Sequence, residues 1–231
     1  MSAVALRSRR SRRDGPGPGQ GGGRVPVSGG TEVTRKVQPG KLWAKEPGVV
    51  TPALPSTLTA FVSLKPGRAA LLWGESIRSL GALACAWAAA RGTRVLTVDA
   101  ANVFDPYRLV REARRLGVSP REALARVQVA RTFTCHQLVR LMQEMPGKLR
   151  PGSLVLVLGP VSPFYDEQVP LAERRRLFKE LTATLEALKM TNPLLLLQPR
   201  LPPEAPNRGF GRLLRPIADV FGSCRELASG P

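Results

Sequence analysis

The sequence predicts an α/β protein whose mostly parallel central sheet is covered by helices on both faces. Three observations carry this. Short, almost purely apolar runs at 69–73, 154–158 and 194–197 lack the alternation of a half-exposed strand, as strands buried on both sides do. Longer stretches between the runs repeat apolar residues at helical spacing. Residues that cap or stop helices stand between the two kinds of segment.

The elements follow in order. Residues 69–73 form a buried strand ending in Gly74, and 79–91 form an Ala- and Leu-rich helix closed by Gly92. A second strand spans 94–98 and ends in Asp99. Asp105 caps a helix with Pro106 in its first turn, where the missing N–H costs nothing. That helix runs to Leu116 and stops at Gly117, with Leu109, Ala113 and Leu116 on its apolar face. Ser119-Pro120 opens a short helix to Arg126, and a strand covers 127–130. Thr134 caps a helix to Met145 with Leu138, Leu141, Met142 and Met145 in one stripe. After the 154–158 strand comes a long helix, 171–188, striped by Leu177, Leu181, Leu185 and Leu188. The 194–197 strand follows, then a short helix near 210–215 and an edge strand near 218–224. Strands separated by helices in this way form a parallel sheet.

The chain has 231 residues and a net charge of +18, with 28 Arg and 7 Lys. Residues 1–50 carry ten basic and three acidic residues, and 14–30 hold eight Gly and three Pro. Such a composition buries too little apolar surface to fold, so 1–50 is expected to be a disordered basic arm. The remaining +11 is spread over the other 181 residues, with a globular domain at 51–225 and a tail at 226–231. Charge of this sign favours an anionic partner, nucleic acid above all, although Arg, Ala and Gly enrichment also fits a GC-rich coding bias. The longest apolar run, 82–90, has nine residues, against the ~20 that cross a bilayer. Cys85, Cys135 and Cys224 are odd in number and far apart, which fits neither a disulfide framework nor a paired-cysteine zinc site. His136 is the single histidine and has no second ligand at metal-binding spacing, so no metal is expected. Arg9-Arg10 and Arg12-Arg13 precede no apolar export segment, and the expected location is cytoplasmic.

In parallel sheets, chemistry gathers beyond the C-terminal strand ends. A phosphate loop there reads G-x-x-x-x-G-K-[ST], so that backbone N–H groups and a Lys hold phosphate and a hydroxyl holds magnesium. The corresponding text is Gly74-Glu75-Ser76-Ile77-Arg78-Ser79-Leu80-Gly81. The first Gly matches, but the second falls on Ser79, the Lys on Leu80 and the hydroxyl on Gly81. Arg78 and Ser79 are the available substitutes for Lys-Ser, in a loop two residues too short.

The order of the central segments resembles the RecA/RadA recombinase superfamily, in particular its archaeal and eukaryotic branch. The resemblance rests on Asp99, Phe104, Pro106, Arg108, Leu109, Val129, Ala130, Arg131, Phe133, His136 and Gln137 in sequence and near-family spacing. It extends through "LVLVLGPVSPFYDE", similar to a Walker B strand and its loop, and through "TNPLLLLQP", similar to the strand ending in a sensing Gln, here Gln198. It covers about 52–225 and implies a RecA-like, P-loop-type three-layer αβα fold. It also implies an ATP site at Gly74, Arg78, Ser79 and Gln198. The matched positions depart from the family where catalysis is concerned. The water-orienting Glu corresponds to Ala101 and the Walker B Asp to Gly159, leaving Asp166 or Glu167 as displaced carboxylates. The expected protein is therefore a degenerate, non-catalytic member with no obligatory cofactor, ATP binding being the alternative. The family's DNA loops correspond to about 160–170 and 199–214. DNA contact would then fall to Arg200, Arg208, Phe210 and Arg212 with the arm's Arg9, Arg10, Arg12 and Arg13. The implied partners are single- or double-stranded DNA, a recombination or repair protein, or RecA-like subunits in an oligomer, with nucleoid association if DNA is bound. A pure interaction module on the same fold is the other reading.

Overall fold

The computed structural model describes residues 64–200 and 209–223. The arm expected over 1–50 and the tail over 226–231 lie outside the described residues. The elements are β1 (Ala69–Gly74), α1 (Ile77–Ala90), β2 (Val95–Asp99), α2 (Pro106–Arg115), α3 (Pro120–Arg126) and β3 (Val127–Arg131). They continue with α4 (Cys135–Glu144), β4 (Leu154–Leu158), a 3-10 turn (Ser162–Tyr165), α5 (Leu171–Thr191) and β5 (Leu194–Pro199). After them come α6 (Gly209–Leu213), a second 3-10 turn (Arg215–Ile217) and β6 (Val220–Ser223).

All six strands are parallel, in the order β3-β2-β4-β5-β1-β6. This is the expected three-layer RecA-like α/β fold. Side chains of a strand alternate between faces, and β4 shows the consequence. Leu154, Leu156 and Leu158 join a core with Ile77, Leu80, Ala84 and Leu109 from α1 and α2. Val155 and Val157 join a second core with Leu138, Met142, Phe178 and Leu181 from α4 and α5. Both faces are buried, which is why β4 reads as unbroken Leu and Val. The two edges differ from the centre, since β3 and β6 are mostly half-buried or exposed.

Two of the three expected caps form, whereas Ser119 stands at the start of α3 without a side-chain cap hydrogen bond. Asp105 accepts from Tyr107 N and Arg108 N at 3.0 and 3.1 Å, and Thr134 Oγ1 accepts from Gln137 N at 3.2 Å. Three details differ from expectation. The first helix begins at Ile77, two residues early, because the connection from β1 is very short. The segment after β4 winds into a 3-10 turn that carries Phe164 into the core. The Arg174-Arg175-Arg176 run, which from sequence could face either solvent or DNA, instead buries Arg174 at 4% exposure, where it donates to Phe164 O at 3.0 Å. Among the described residues no helix is long and apolar enough to cross a membrane.

Asp219 joins β6, β1 and α5. Its carboxylate accepts from Ala69 N at 2.7 Å and pairs with Lys189 at 3.3 Å and Arg68 at 3.4 Å. The Ala69 hydrogen bond and these cations hold the carboxyl below the ordinary aspartate range, against opposing desolvation. A lowered native value gives stability that is present at neutral pH and lost as pH falls through the native value. Asp219→Asn should therefore cost about 0.5–1 kcal/mol at neutral pH for this solvent-accessible cluster. It should also make the acid-side loss of stability shallower, as read by thermal melts across pH.

Candidate functional site

The chain crosses from β1 to β2 to β3 over one face and returns through β4, β5 and β6 over the other. Neighbouring strands whose connections leave to opposite faces open a crevice at their C-terminal ends. The β1–β5 pair makes one, and a cavity of about 250 Å³ lies there, bounded by Trp73, Val161, Tyr165, Gln198, Arg200 and Arg212. Three of the expected residues, Gln198, Arg200 and Arg212, thus share one cavity.

The other expected phosphate groups are not among its walls. Only Glu75 and Ser76 separate β1 from α1, so the segment from Gly74 to Gly81 is mostly helix. Arg78 is exposed and Ser79 half-buried on the first turn of α1. Leu80 is 4% exposed within the core beside Leu156 and Leu158. A Cβ on Gly81 would meet Leu158 Cδ2 at 2.9 Å, so close helix–sheet packing uses this position. The charge in the short connection is negative, because Glu75 stands in it and lies 3.9 Å from Arg200.

The β2–β4 crevice is closed by backbone. Ala100 N and Ala101 N both donate to Leu158 O, at 2.9 and 3.0 Å. Gly159 has φ +68°, and a Cβ there would lie 2.5 Å from Ala101 Cβ and 2.7 Å from Ser162 Oγ. Only glycine fits. Asp166 is exposed and accepts from Gln168 N within its own turn at 3.0 Å, and Glu167 is exposed. Asp99 is fully buried. It accepts from Val103 N and Phe104 N at 3.0 Å and lies 3.4 Å from Arg131, so it staples the β2 loop to β3.

Gln198 is 3% exposed and bridges two loops. Its Oε1 accepts from Val161 N at 2.9 Å, and its Nε2 donates to Pro199 O at 3.2 Å. Phe210, expected at a DNA-facing loop, is 4% exposed and packs on Phe164 and Phe178 with ring centroids 5.7 and 5.1 Å apart. Its neighbour Arg212 is exposed. Arg9, Arg10, Arg12, Arg13 and Arg208 lie outside the described residues.

One constellation escaped the sequence reading. His136 Nδ1 lies 3.7 Å from Cys135 Sγ, and His136 Nε2 lies 2.9 Å from Glu173 Oε1. The order thiol, imidazole, carboxylate is that of a nucleophilic triad. Cys135, however, has no exposed surface, and burial raises its thiol above its ordinary value, so the reactive thiolate is disfavoured. Burial likewise pushes the Cys85 thiol, whose Sγ lies 3.3 Å from Thr97 Oγ1, to about 12. Among the described residues no group of three His, Cys, Asp or Glu side chains is placed to hold a metal.

A parallel sheet in this strand order, with its crevices at the C-terminal pole, defines a RecA-like α/β protein. Residues 78–188 match the Rad51 family model. The match covers just under half of the chain and supports its likeness to the RecA/RadA recombinase superfamily.

If Gly159 is held by backbone geometry, restoring an acid there must fail. Gly159→Asp should destabilise the fold by about 2–4 kcal/mol, from left-handed strain plus the clash with Ala101. Urea melts read that loss, and magnesium-dependent ATP hydrolysis should not rise above background.

Proposed function

We propose that this protein serves DNA recombination or repair without turning over ATP, by binding DNA or by assisting a recombination partner. The observation that carries this reading is the two-residue connection from β1 to α1, with Glu75 in it. Phosphoryl transfer works by positioning and by electrostatic stabilisation of charge. A connection of this length cannot wrap a triphosphate, and a carboxylate beside it repels one. Gly159 and Ala101, at the β2–β4 crevice, support the same reading, since they leave neither a magnesium-holding carboxylate nor a water-orienting one at the matched positions.

DNA binding draws its support from the superfamily and from the net charge of +18. Exposed Arg200 and Arg212 flank the cavity where sensing Gln198 stands. Gln198 joins the β5 end to the loop after β4, so a ligand on either loop is felt by the other.

Two titrations of the full chain test this together. Calorimetry with ATP, with and without magnesium, should give a flat trace. Labelled single- and double-stranded oligonucleotides should bind at about 50 mM salt and weaken steeply as salt rises. A saturable magnesium-dependent ATP heat would overturn the non-catalytic reading. Absence of DNA binding at that salt would overturn direct DNA contact and leave the partner-assisting role.

A further inference from the structure

All six strands of the sheet begin at the pole opposite the crevices. Arg68, Arg94 and Arg126 immediately precede β1, β2 and β3. Arg150 and Lys189 stand shortly before β4 and β5, and Asp219 precedes β6. The charge then divides. Under β5, β1 and β6, Asp219 pairs with both Arg68 and Lys189. Under β3, β2 and β4 the cations stay together. Arg94, Arg126, Lys148 and Arg150 line one cavity of about 110 Å³ with Gln128 and Ser153, and no carboxylate lines it. Lys148 shares Glu144 with Arg140, and Arg126 donates to Gly92 O at 2.9 Å. Arg94 and Arg150 have no ion pair among the described residues.

Helix ends do not account for this cluster. Arg126 sits in the last turn of α3, where a cation complements the helix dipole. Arg94 and Arg150 belong to no helix. The backbone of both is nevertheless firmly placed. Asn192 is buried and donates to Arg150 O and Ser153 O at 2.9 Å each, and Leu154 N donates to Arg94 O at 2.9 Å. Strand starts about 4.8 Å apart spread these cations over roughly 10 Å. That span suits about three nucleotides at 3.4 Å per step. Guanidinium forks are shaped to grip phosphate oxygens in pairs.

We propose that this N-terminal pole, at Arg94, Arg126, Lys148 and Arg150, is a nucleic-acid phosphate-binding face distinct from the loops at the C-terminal pole. The proposal rests on the DNA-binding reading above and names a different part of the molecule for it. The face contacts backbone phosphates, so it does not select sequence.

Anisotropy titrations of the full chain with labelled single-stranded and duplex oligonucleotides across about 50–200 mM salt test it. Arg94→Gln/Arg150→Gln is compared with Arg200→Gln/Arg212→Gln and with the unaltered chain. Loss of two phosphate contacts should lower the log–log salt slope by about 1.5–2 and weaken binding about tenfold or more. The loop pair should change the slope less, and comparison of the two oligonucleotides says which form the face prefers. If the first variant melts early, Arg94→Lys/Arg150→Lys keeps the charge and should restore the slope; failure to do so overturns the site. An unchanged slope in Arg94→Gln/Arg150→Gln, with the unaltered chain binding, overturns this face and leaves the proposed function standing. No DNA binding by the unaltered chain overturns both this face and direct DNA contact. Equal salt-dependent binding to polyglutamate, without binding to DNA, would assign the face to an acidic protein and overturn it.

Discussion

The carbonyl of Leu158 accepts hydrogen bonds from both Ala100 and Ala101, and the C-terminal pole is organised around that tie. It draws the β2 and β4 ends together until Gly159 and Ala101 meet with no room for a side chain at Gly159. Beyond it, Ser162 N donates to Gly159 O and Phe164 N to Val161 O, closing the turn that sends Phe164 inward, where Phe178 and Phe210 close around it. Gln198 then fastens β5 to this turn through Val161 N. Backbone packing thus fills the Gly159 corner, the position that the family resemblance matches to a magnesium carboxylate. A buried unsatisfied donor or acceptor costs about 1–3 kcal/mol, and Leu158 O, Val161 N and Gln198 are all paired here.

Such a fold separates architecture from chemistry. The stability of the sheet lies in Leu and Val side chains whose burial contributes about 1.5–3 kcal/mol each. None of them depends on nucleotide. The positions that the resemblance matches to phosphate and magnesium groups take part in packing: Leu80 in the core, Gly81 against Leu158, Gly159 against Ala101. Charge is divided by pole in a comparable way. The C-terminal pole mixes Glu75, Asp166 and Glu167 with Arg200 and Arg212, whereas the β3-β2-β4 side of the opposite pole gathers Arg94, Arg126, Lys148 and Arg150 around one cavity.

Much of this was legible in the sequence because the signals are local. An apolar run too short for a helix and free of alternation, as in Leu154–Leu158, has few solutions besides a fully buried strand. Asp105 followed by Pro106, and Thr134 three residues before Gln137, announce helix starts that the hydrogen bonds realise. The site was legible only in part. Phe210 has the composition of a base-stacking residue beside two arginines, but its partners Phe164 and Phe178 lie 46 and 32 residues earlier. Arg174 reads as one of three surface arginines, and only the 3-10 turn that offers it Phe164 O explains its burial. Arg94, Arg126 and Arg150 become neighbours through the strand order, which no local pattern contains. The triad-like Cys135, His136 and Glu173 depend likewise on α4 lying against α5.

On the proposed function, the β1–α1 connection and the Gly159 corner take no nucleotide, and anion contact falls on the N-terminal pole. Backbone amide NMR shifts, recorded with magnesium-ATP and then with a short oligonucleotide, test it most directly. The account predicts unmoved signals for Glu75–Ser79, Ala101 and Gly159 with ATP, and shifts at Arg94, Arg126, Gln128 and Arg150 with the oligonucleotide. Saturable ATP shifts at Glu75–Ser79 and Gly159 would contradict it.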